Sequence, residues 1–314
     1  MQEKKNKRLL ISLAILVLAI ASFWFFSSKQ TNSVLVEPTL FKPEDATKID
    51  HITLASANGK ISLDLNGTHW TINNKYDADG QLIKLLFATL DKAEPKRPVS
   101  NNQLDSVNAW LSKTGVEVKL YEGENIIASF RAGGNSQKTE AYFQKSAGLI
   151  PYVMSIPGYR LYVSYILELD ENGWRDKRIF NFNWRNFKSL QMIVPSDPTQ
   201  NFEVSFKDQF FGINGITSVD TTKLNDYLDA VSLLTAEQFI MPGFSKVYDS
   251  LFNTKPAFRL EVTDISAKTF SLDLFVPIKN DPNLVGRLDD NQSILFNRTN
   301  ILPIAVKKAF FIAR

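Results

Sequence analysis

The chain has 314 residues, enough for about two domains, and its 44% hydrophobic and 22% charged residues are typical of a folded protein. The absence of cysteine excludes disulfides, thiol catalysis and cysteine-ligated metal sites. The net charge of +3 comes from residues 1–8, the basic tip, which contains one carboxylate, Glu3, and four cations, Lys4, Lys5, Lys7 and Arg8. The remaining residues are neutral overall and alternate in sign. A nucleic-acid interface, which needs clustered cations, is therefore not expected.

Residues 9–26 follow the tip as an uncharged apolar run. At about 1.5 Å per residue, a helix over this run is about 27 Å long, which matches the hydrocarbon thickness of a bilayer. The run predicts a transmembrane anchor that includes Leu9, Leu13, Leu16, Ile20, Phe23, Trp24 and Phe26. Trp24 and the neighbouring phenylalanines suit the far membrane interface.

A cleaved signal peptide is the alternative to a retained anchor, because Ala19–Ala21 has the small-x-small pattern of a cleavage site. The run continues through Phe26 and is longer than a typical signal-peptide core, which favours the anchor. The basic tip predicts a cytoplasmic N-terminus. Residues 27–40 are polar and are interpreted as a tether, so the body is expected on the outer side of the membrane. The later apolar runs are much shorter, which predicts a single-pass protein.

The body repeats itself along the sequence. At an offset of 142 residues, apolar positions of 116–120 coincide with those of 258–262, and upstream the best offset is 141, which pairs Ile52 with Ile193 and Ile72 with Ile213. The pattern predicts a first repeat over 41–156, a connector over 157–178 and a second repeat over 179–314.

Each repeat begins with alternating segments, which predict strands at 52–55, 61–65 and 69–72 in the first repeat. A helix is expected next from four leucines at helical spacing, Leu82, Leu85, Leu86 and Leu90, and in the second repeat from Leu224, Leu228, Val231 and Leu234. A second short helix is expected at 102–112, and near 244–252 in the second repeat, followed by four strands. The predicted class is α+β, two tandem units of antiparallel sheet with helices packed on one face.

Residues able to do chemistry are sparse. The two histidines, His51 and His69, lie in predicted strands without ligand-like neighbours, so no metal site is expected. Asp79 is interpreted as the cap of the first helix rather than a calcium ligand, with Thr221 as its counterpart. Asp289-Asp290 is interpreted as a turn. The chain lacks phosphate-loop and serine-elbow motifs, so no catalytic, cofactor or metal residue is assigned.

A charged and aromatic segment joins the two repeats. Core packing is the favoured interpretation of its aromatics, with an exposed patch for a membrane partner as the alternative. The candidate partner surface consists of Trp174, Arg175, Asp176, Lys177, Arg178, Phe180 and Trp184.

Several segments together resemble a known family, domain of unknown function 4340. They are 49–54, 70–72, the helix from Leu82, 115–118, Tyr142-Phe143, Tyr152-Val153, 174–180 and 190–194. The charges of Arg175–Arg178 are the most specific match, because strand periodicity does not explain them. The resemblance covers residues 9 to about 240 well. It implies an anchored bacterial envelope protein with repeated α+β units, often accompanying gliding-type ABC transporter components. It implies no catalytic residue.

These observations lead to one expected function and two alternatives. We expect a non-enzymatic accessory or scaffold module of an envelope transport assembly, held in the bacterial inner membrane with its body outside the cytoplasm. Its expected partners are the lipid bilayer, through residues 9–26, and integral membrane proteins. No cofactor and no nucleic acid are expected. The alternatives are a lipid- or glycan-binding envelope domain and, less favoured, a carboxylate-dependent hydrolase.

Overall fold

The computed structural model describes residues 16–17, 20–22, 36–146, 149–180, 182–183, 185–207, 210–289 and 291–313. Leu16 and Ile20 of the predicted anchor are helical and more than half exposed. The other anchor and tip residues named above lie outside the described residues: Lys4, Lys5, Lys7, Arg8, Leu9, Leu13, Phe23, Trp24 and Phe26. Within the described part of the chain, none of the helices has both the length and the apolar composition of a membrane span.

The described strands form two antiparallel sheets. The first contains β1 (His51–Ser56), β2 (Gly59–Asn66), β3 (His69–Ile72), β4 (Tyr76–Asp77), β5 (Glu94–Pro98), β6 (Val116–Glu122), β7 (Asn125–Gly134), β8 (Ala141–Gln144) and β9 (Tyr152–Ser155). The second contains β10 (Phe187–Ile193), β11 (Phe202–Lys207), β12 (Phe210–Ile213), β13 (Gln238–Ile240), β14 (Phe258–Asp264), β15 (Thr269–Leu274), β16 (Asn283–Leu288) and β17 (Ser293–Asn297). The α+β class is thus confirmed.

The described helices are short and lie between these strands. They are α1 (Gly80–Lys92), α2 (Asn101–Thr114), α3 (Glu171–Trp174), α4 (Thr221–Ser232), α5 (Lys246–Leu251) and α6 (Arg298–Ile301). The helices α1 and α2 of the first repeat correspond to α4 and α5 of the second.

The two sheets have the same strand order. The first runs β4-β3-β2-β1-β6-β7-β8-β9-β5 and the second β12-β11-β10-β14-β15-β16-β17-β13. Apart from β4, every strand of one sheet has a counterpart at the same place in the other. The duplication found in the sequence is therefore a duplication of topology.

The register of the first strand corrects the predicted repeat alignment. Ile52 lies opposite Leu120, and Leu190 lies opposite Val262. Since Leu120 and Val262 are equivalent, Ile52 corresponds to Leu190, at an offset of 138 rather than 141. The β1–β2 connection is a tight turn, whereas β10–β11 is a longer loop with a 3₁₀ turn at Pro198–Gln200. The extra residues of that loop restore the offset to 141.

Helices cover both faces of the second sheet, which corrects the prediction of helices on one face. Leu224 and Leu228 of α4 join the main core with Leu272 and Ile294. On the opposite face, Phe275, Val285 and Leu295 form a second cluster beside Tyr248 and Leu251 of α5. In the first repeat, Leu111 of α2 likewise packs with Tyr142 and Val153.

The burial of the strands β8 and β17 explains why both faces of each sheet are covered. β8 and β17 bury four consecutive residues instead of alternating ones. Since successive side chains of a strand point to opposite faces, both faces must be covered there.

The described residues form two compact units, whose bounds differ from those of the two repeats. One unit consists of the residues up to Leu65 together with Ile83–Glu168. The other consists of Asn66–Leu82 and the residues from Leu169 onward. Each unit has its own buried residues, such as Ile52, Val118 and Phe130 in the first and Leu190, Leu260 and Tyr227 in the second.

Candidate functional site

The two histidines are held by neighbouring carboxylates. His51 Nδ1 lies 2.6 Å from Asp64 Oδ1 across the β1–β2 pair, and Ser62 Oγ donates to Asp64 Oδ2 at 2.6 Å. Serine and imidazole both approach the carboxylate, whereas a serine nucleophile needs the imidazole to take its proton. His69 and Asp77 are exposed, with Nε2 and Oδ1 3.7 Å apart. The described residues contain no group of three metal-ligating side chains.

The aspartates before α1 and α4 cap these helices. Asp79 Oδ1 accepts from the backbone N–H of Gln81 at 2.7 Å and of Leu82 at 3.3 Å, as predicted. In the second repeat the cap is Asp220, which accepts from the Lys223 N–H at 3.2 Å. Thr221 is the first residue of the helix, so the predicted cap was one residue late.

The most concentrated set of carboxylates and tyrosines lies in the first unit. Tyr142 donates to Glu140 at 3.0 Å, and Arg97 binds the same carboxylate at 3.3 Å. Tyr162 donates to Glu168, which Lys138 pairs with at 3.0 Å. Burial and the bond to Glu140 raise the pKa of Tyr142 to about 12.

Each of these carboxylates accepts a hydrogen bond from its own tyrosine and pairs with its own cation. These partners hold both carboxylates in place, which argues for a structural role.

Arg175 is the centre of a buried clamp in the second unit. Its guanidinium carbon lies 3.6 Å from the ring centroids of both Tyr76 and Phe239, so the cation is held between two aromatic faces. Its Nη2 donates to Gln292 Oε1 at 2.5 Å. The side chain is only 7% exposed.

The residues after the clamp form a charged ledge, defined as Asp176, Lys177 and Arg178. Arg178 Nε donates to both carboxylate oxygens of Asp176, at 3.1 and 2.9 Å, and Lys177 Nζ donates to the Glu237 carbonyl at 2.9 Å. The backbone of the ledge is fixed too, because the Ala236 N–H donates to the Lys177 carbonyl at 2.7 Å. A hollow of about 260 Å³ lies beside it, lined by the ledge, Thr235 and residues 79–81.

The structure divides the predicted partner surface into buried and accessible parts. Trp174, Arg175 and Phe180 are buried, which corrects their assignment to a surface, since their apolar area or stacked charge is used inside the unit. The accessible part is the charged ledge, in which Arg178 is exposed and Asp176 and Lys177 are half-buried. Trp184 lies outside the described residues.

Exposed aromatics mark one end of the second sheet, which we call the aromatic end. It consists of Phe206, Phe210 and Phe211 of the β11–β12 hairpin, Ile265 of the β14–β15 turn, and the cations Arg185, Lys188 and Lys268. Phe206, Phe210 and Ile265 are 60%, 71% and 66% exposed. The sequence search missed this end, although an apolar residue at a hairpin tip, where polar residues are usual, is a readable signal.

Two copies of one α+β unit, with a clamped Trp-Arg-Asp-Lys-Arg segment, define the class of protein. The family model described as Domain of unknown function (DUF4340) matches residues 70–251, more than half of the chain. The chain belongs to this family, as the sequence resemblance indicated. A search of curated proteins gave no match.

Proposed function

We propose that the chain is a non-enzymatic accessory or scaffold module of an envelope transport assembly, anchored by residues 9–26 with its body outside the cytoplasm. The anchor and its orientation are supported by the sequence: an uncharged run of bilayer length preceded by four cations. The transport assembly, of ABC type, is supported by the family resemblance. Binding rather than catalysis is supported by the side chains themselves, because His51 and the Tyr–Glu pairs have hydrogen-bond partners that fix them.

The observation that carries the proposal is the rigidity of the charged ledge. Its side chains present both signs of charge, and its backbone is bonded to the strand-like segment around Ala236. The clamp at Arg175 fixes the chain directly before it. A pre-organised charged surface binds a partner without a large loss of conformational freedom, and its charge pattern selects the partner.

Photocrosslinking in native membranes tests this proposal. A photoreactive amino acid replaces Thr235, which is exposed beside the ledge, in the full chain, and a matched chain carries it at Lys113, which is exposed on α2. We expect the probe at Thr235 to give a crosslink to an integral membrane protein that the probe at Lys113 does not give. Identical products from both positions, or no protein product from the membrane-bound chain with the probe at Thr235, would overturn the proposal.

Charge reversal at the ledge provides a second readout. Lys177→Glu should reduce capture of that membrane protein by the full chain, because it reverses the charge pattern offered to the partner. Lys113→Glu is the matched control and should leave capture unchanged. If both variants capture the partner as the wild type does, the ledge is not the docking surface.

A further inference from the structure

We propose that the aromatic end of the second repeat docks on an anionic lipid surface, with Phe206, Phe210 and Ile265 entering the interface. The inference rests on the proposed anchoring of the chain to a bilayer, since that anchor would hold the body close to lipid headgroups.

The first argument is that these rings extend outward from the core in contact with one another. Phe187 is buried, its ring centroid lies 5.4 Å from that of Phe211, and Phe211 lies 5.2 Å from Phe206. The inner rings contribute to the core. Phe206 and Phe210 leave most of their surface in water, which is unfavourable unless something covers them.

The second argument is the charge around the rings. Arg185, Lys188 and Lys268 are exposed at this end, and the Lys268 ammonium lies 4.6 Å from the ring centroid of Phe270. Two described carboxylates lie near these cations. Asp264 accepts the backbone N–H groups of Ser266 and Lys268, both at 2.9 Å, and so closes the turn, and Asp289 accepts the Ser271 N–H at 2.6 Å. Apolar rings surrounded by cations complement a membrane interface with anionic headgroups.

The third argument is the contrast with the first repeat, which has the same fold but more acidic residues and no exposed phenylalanine among its described residues at this end. Glu44, Asp45, Lys48 and Glu122 line a hollow of about 220 Å³ there. The Gly123 N–H donates to both oxygens of Asp50 at 3.0 Å, so this carboxylate lies beside the same turn. The residues at the positions of Phe206 and Phe210 are Leu65 and His69.

The fold therefore does not require aromatic rings at this end, because the first repeat forms the same hairpin without them. A folding role for the rings would predict an aromatic residue at both positions in both repeats, whereas the first repeat has Leu65 and His69 there. An anionic bilayer would attract the end of the second repeat and repel that of the first.

Depth-dependent fluorescence quenching tests the inference on the full chain. The protein has no cysteine, so Ser266→Cys and Glu124→Cys each provide a single labelling site, at equivalent turns of the two repeats. Each labelled chain is reconstituted in phosphatidylcholine vesicles with or without phosphatidylglycerol, containing brominated lipid as quencher. We expect strong quenching at Ser266→Cys with phosphatidylglycerol present, and little at Glu124→Cys.

Variants of the aromatic end separate lipid insertion from chance proximity. Phe210→Ser should lower the ratio of docked to undocked chains about tenfold, because most of one ring leaves the interface. Lys268→Gln should lower it about fivefold, and only with anionic lipid. Leu65→Ser is the matched control in the first repeat and should change nothing.

The outcomes distinguish the inference from the proposed anchoring. A chain that stays with the vesicles but shows equal, weak quenching at both labels overturns the inference alone, and would favour a protein as the occupant of the aromatic end. A chain that does not stay with the vesicles contradicts both the anchor and the inference.

Discussion

The two repeats share a fold down to the order of their strands, and they differ where the fold does not require a particular residue. Both bury a main core on one face of the sheet and a smaller cluster on the other. At the hairpin end, the first repeat is acidic and the second aromatic and basic. The shared topology therefore determines which positions form the core, whereas the residues at the sheet ends can differ between the repeats.

A second difference lies inside the smaller clusters. The first repeat has Gly133 and Gly134 at the end of β7, where the second has Phe275 and Val276. The Phe275 ring packs against Phe252, with centroids 5.3 Å apart. In the first repeat, Leu111 approaches the position that corresponds to Phe275, 3.0 Å from a Cβ on Gly133, and Tyr162 would clash with a Cβ on Gly134. The two repeats therefore fill the space beside these positions with different side chains.

We expect the exchange of Gly134 and Val276 between the repeats to have the largest effect on stability. Gly134→Val gives the first repeat the side chain of the second, and its Cβ would also lie 2.6 Å from the Glu140 carbonyl oxygen. We expect a loss of about 3–4 kcal/mol in the free energy of unfolding, measured in urea. The reverse exchange, Val276→Gly, affects an exposed residue and should cost less than about 1 kcal/mol. Equal losses in the free energy of unfolding would show that the two repeats are packed alike at this position.

We expect a substitution in the clamp to have the second-largest effect on stability. Arg175→Ala removes a buried side chain stacked on two rings and should destabilise the second unit by about 3 kcal/mol. Arg178→Ala, from the exposed ledge, should cost less than about 1 kcal/mol. Thermal unfolding monitored at separate probes in the two units measures both. A similar cost for the two arginines would contradict the division between buried clamp and accessible ledge.

A buried ion cluster distinguishes the second sheet from the first. Asp273 binds Arg259 Nε at 2.7 Å and Arg287 Nη2 at 3.4 Å. At the equivalent positions the charges are exchanged, since Glu117 lies opposite Arg131, and Glu117 pairs with Lys119 instead. Asp273→Asn should cost about 2 kcal/mol at neutral pH, because it removes the carboxylate that pairs with both arginines and leaves Arg259 only Glu261, 3.8 Å away. Glu117→Gln should leave the unfolding curve unchanged.

The cost of Asp273→Asn should also depend on pH. Burial alone would raise the pKa of Asp273, but the bonds and charges of Arg259 and Arg287 outweigh burial and leave the pKa below the ordinary value of 3.8. A carboxyl with a lowered folded-state pKa stabilises above its unfolded pKa and loses that contribution as the pH falls. The difference between wild type and variant should be constant above pH 3.8 and shrink below it. A constant difference through that range would contradict the ion pairing.

We expect substitutions at the helix caps to have the smallest effect on stability and to behave most alike in the two repeats. Asp79→Ala should cost about 1 kcal/mol, because the first turn of α1 loses its acceptor. Asp220→Ala should lower the Tm of the second unit for the same reason, whereas Thr221→Ala should leave it nearly unchanged. A larger effect at Thr221 than at Asp220 would restore the cap predicted from the sequence.

Periodicity predicted the elements well and their exact alignment less well. The strand at 69–72 and the helix after Asp79 follow directly from local pattern and capping chemistry. The alignment of β1 with β10 does not, because two offsets that differ by three residues both place apolar residues on apolar ones. Similarly, Leu85 has helical spacing yet is exposed, and Ile83 beside it is buried.

The sites were harder to predict because they depend on burial between distant segments. Arg175 is charged in the sequence and suggests a surface, but Tyr76 and Phe239 lie far from it along the chain and enclose it only in the fold. The aromatic end combines a loop at 185–188, a hairpin at 206–211 and a turn at 264–268. Only the sheet order places them together.

Thiol labelling in cells tests most directly the central claim that one anchor holds two repeats outside the cytoplasm, with the second repeat against lipid. Full chains with Glu124→Cys or Ser266→Cys are treated with a membrane-impermeant maleimide after the outer membrane is permeabilised and before lysis. The account predicts that both react, Glu124→Cys quickly and Ser266→Cys slowly because lipid covers its turn. Reaction of either chain only after lysis would contradict the orientation, and equal rates would contradict the difference between the repeats.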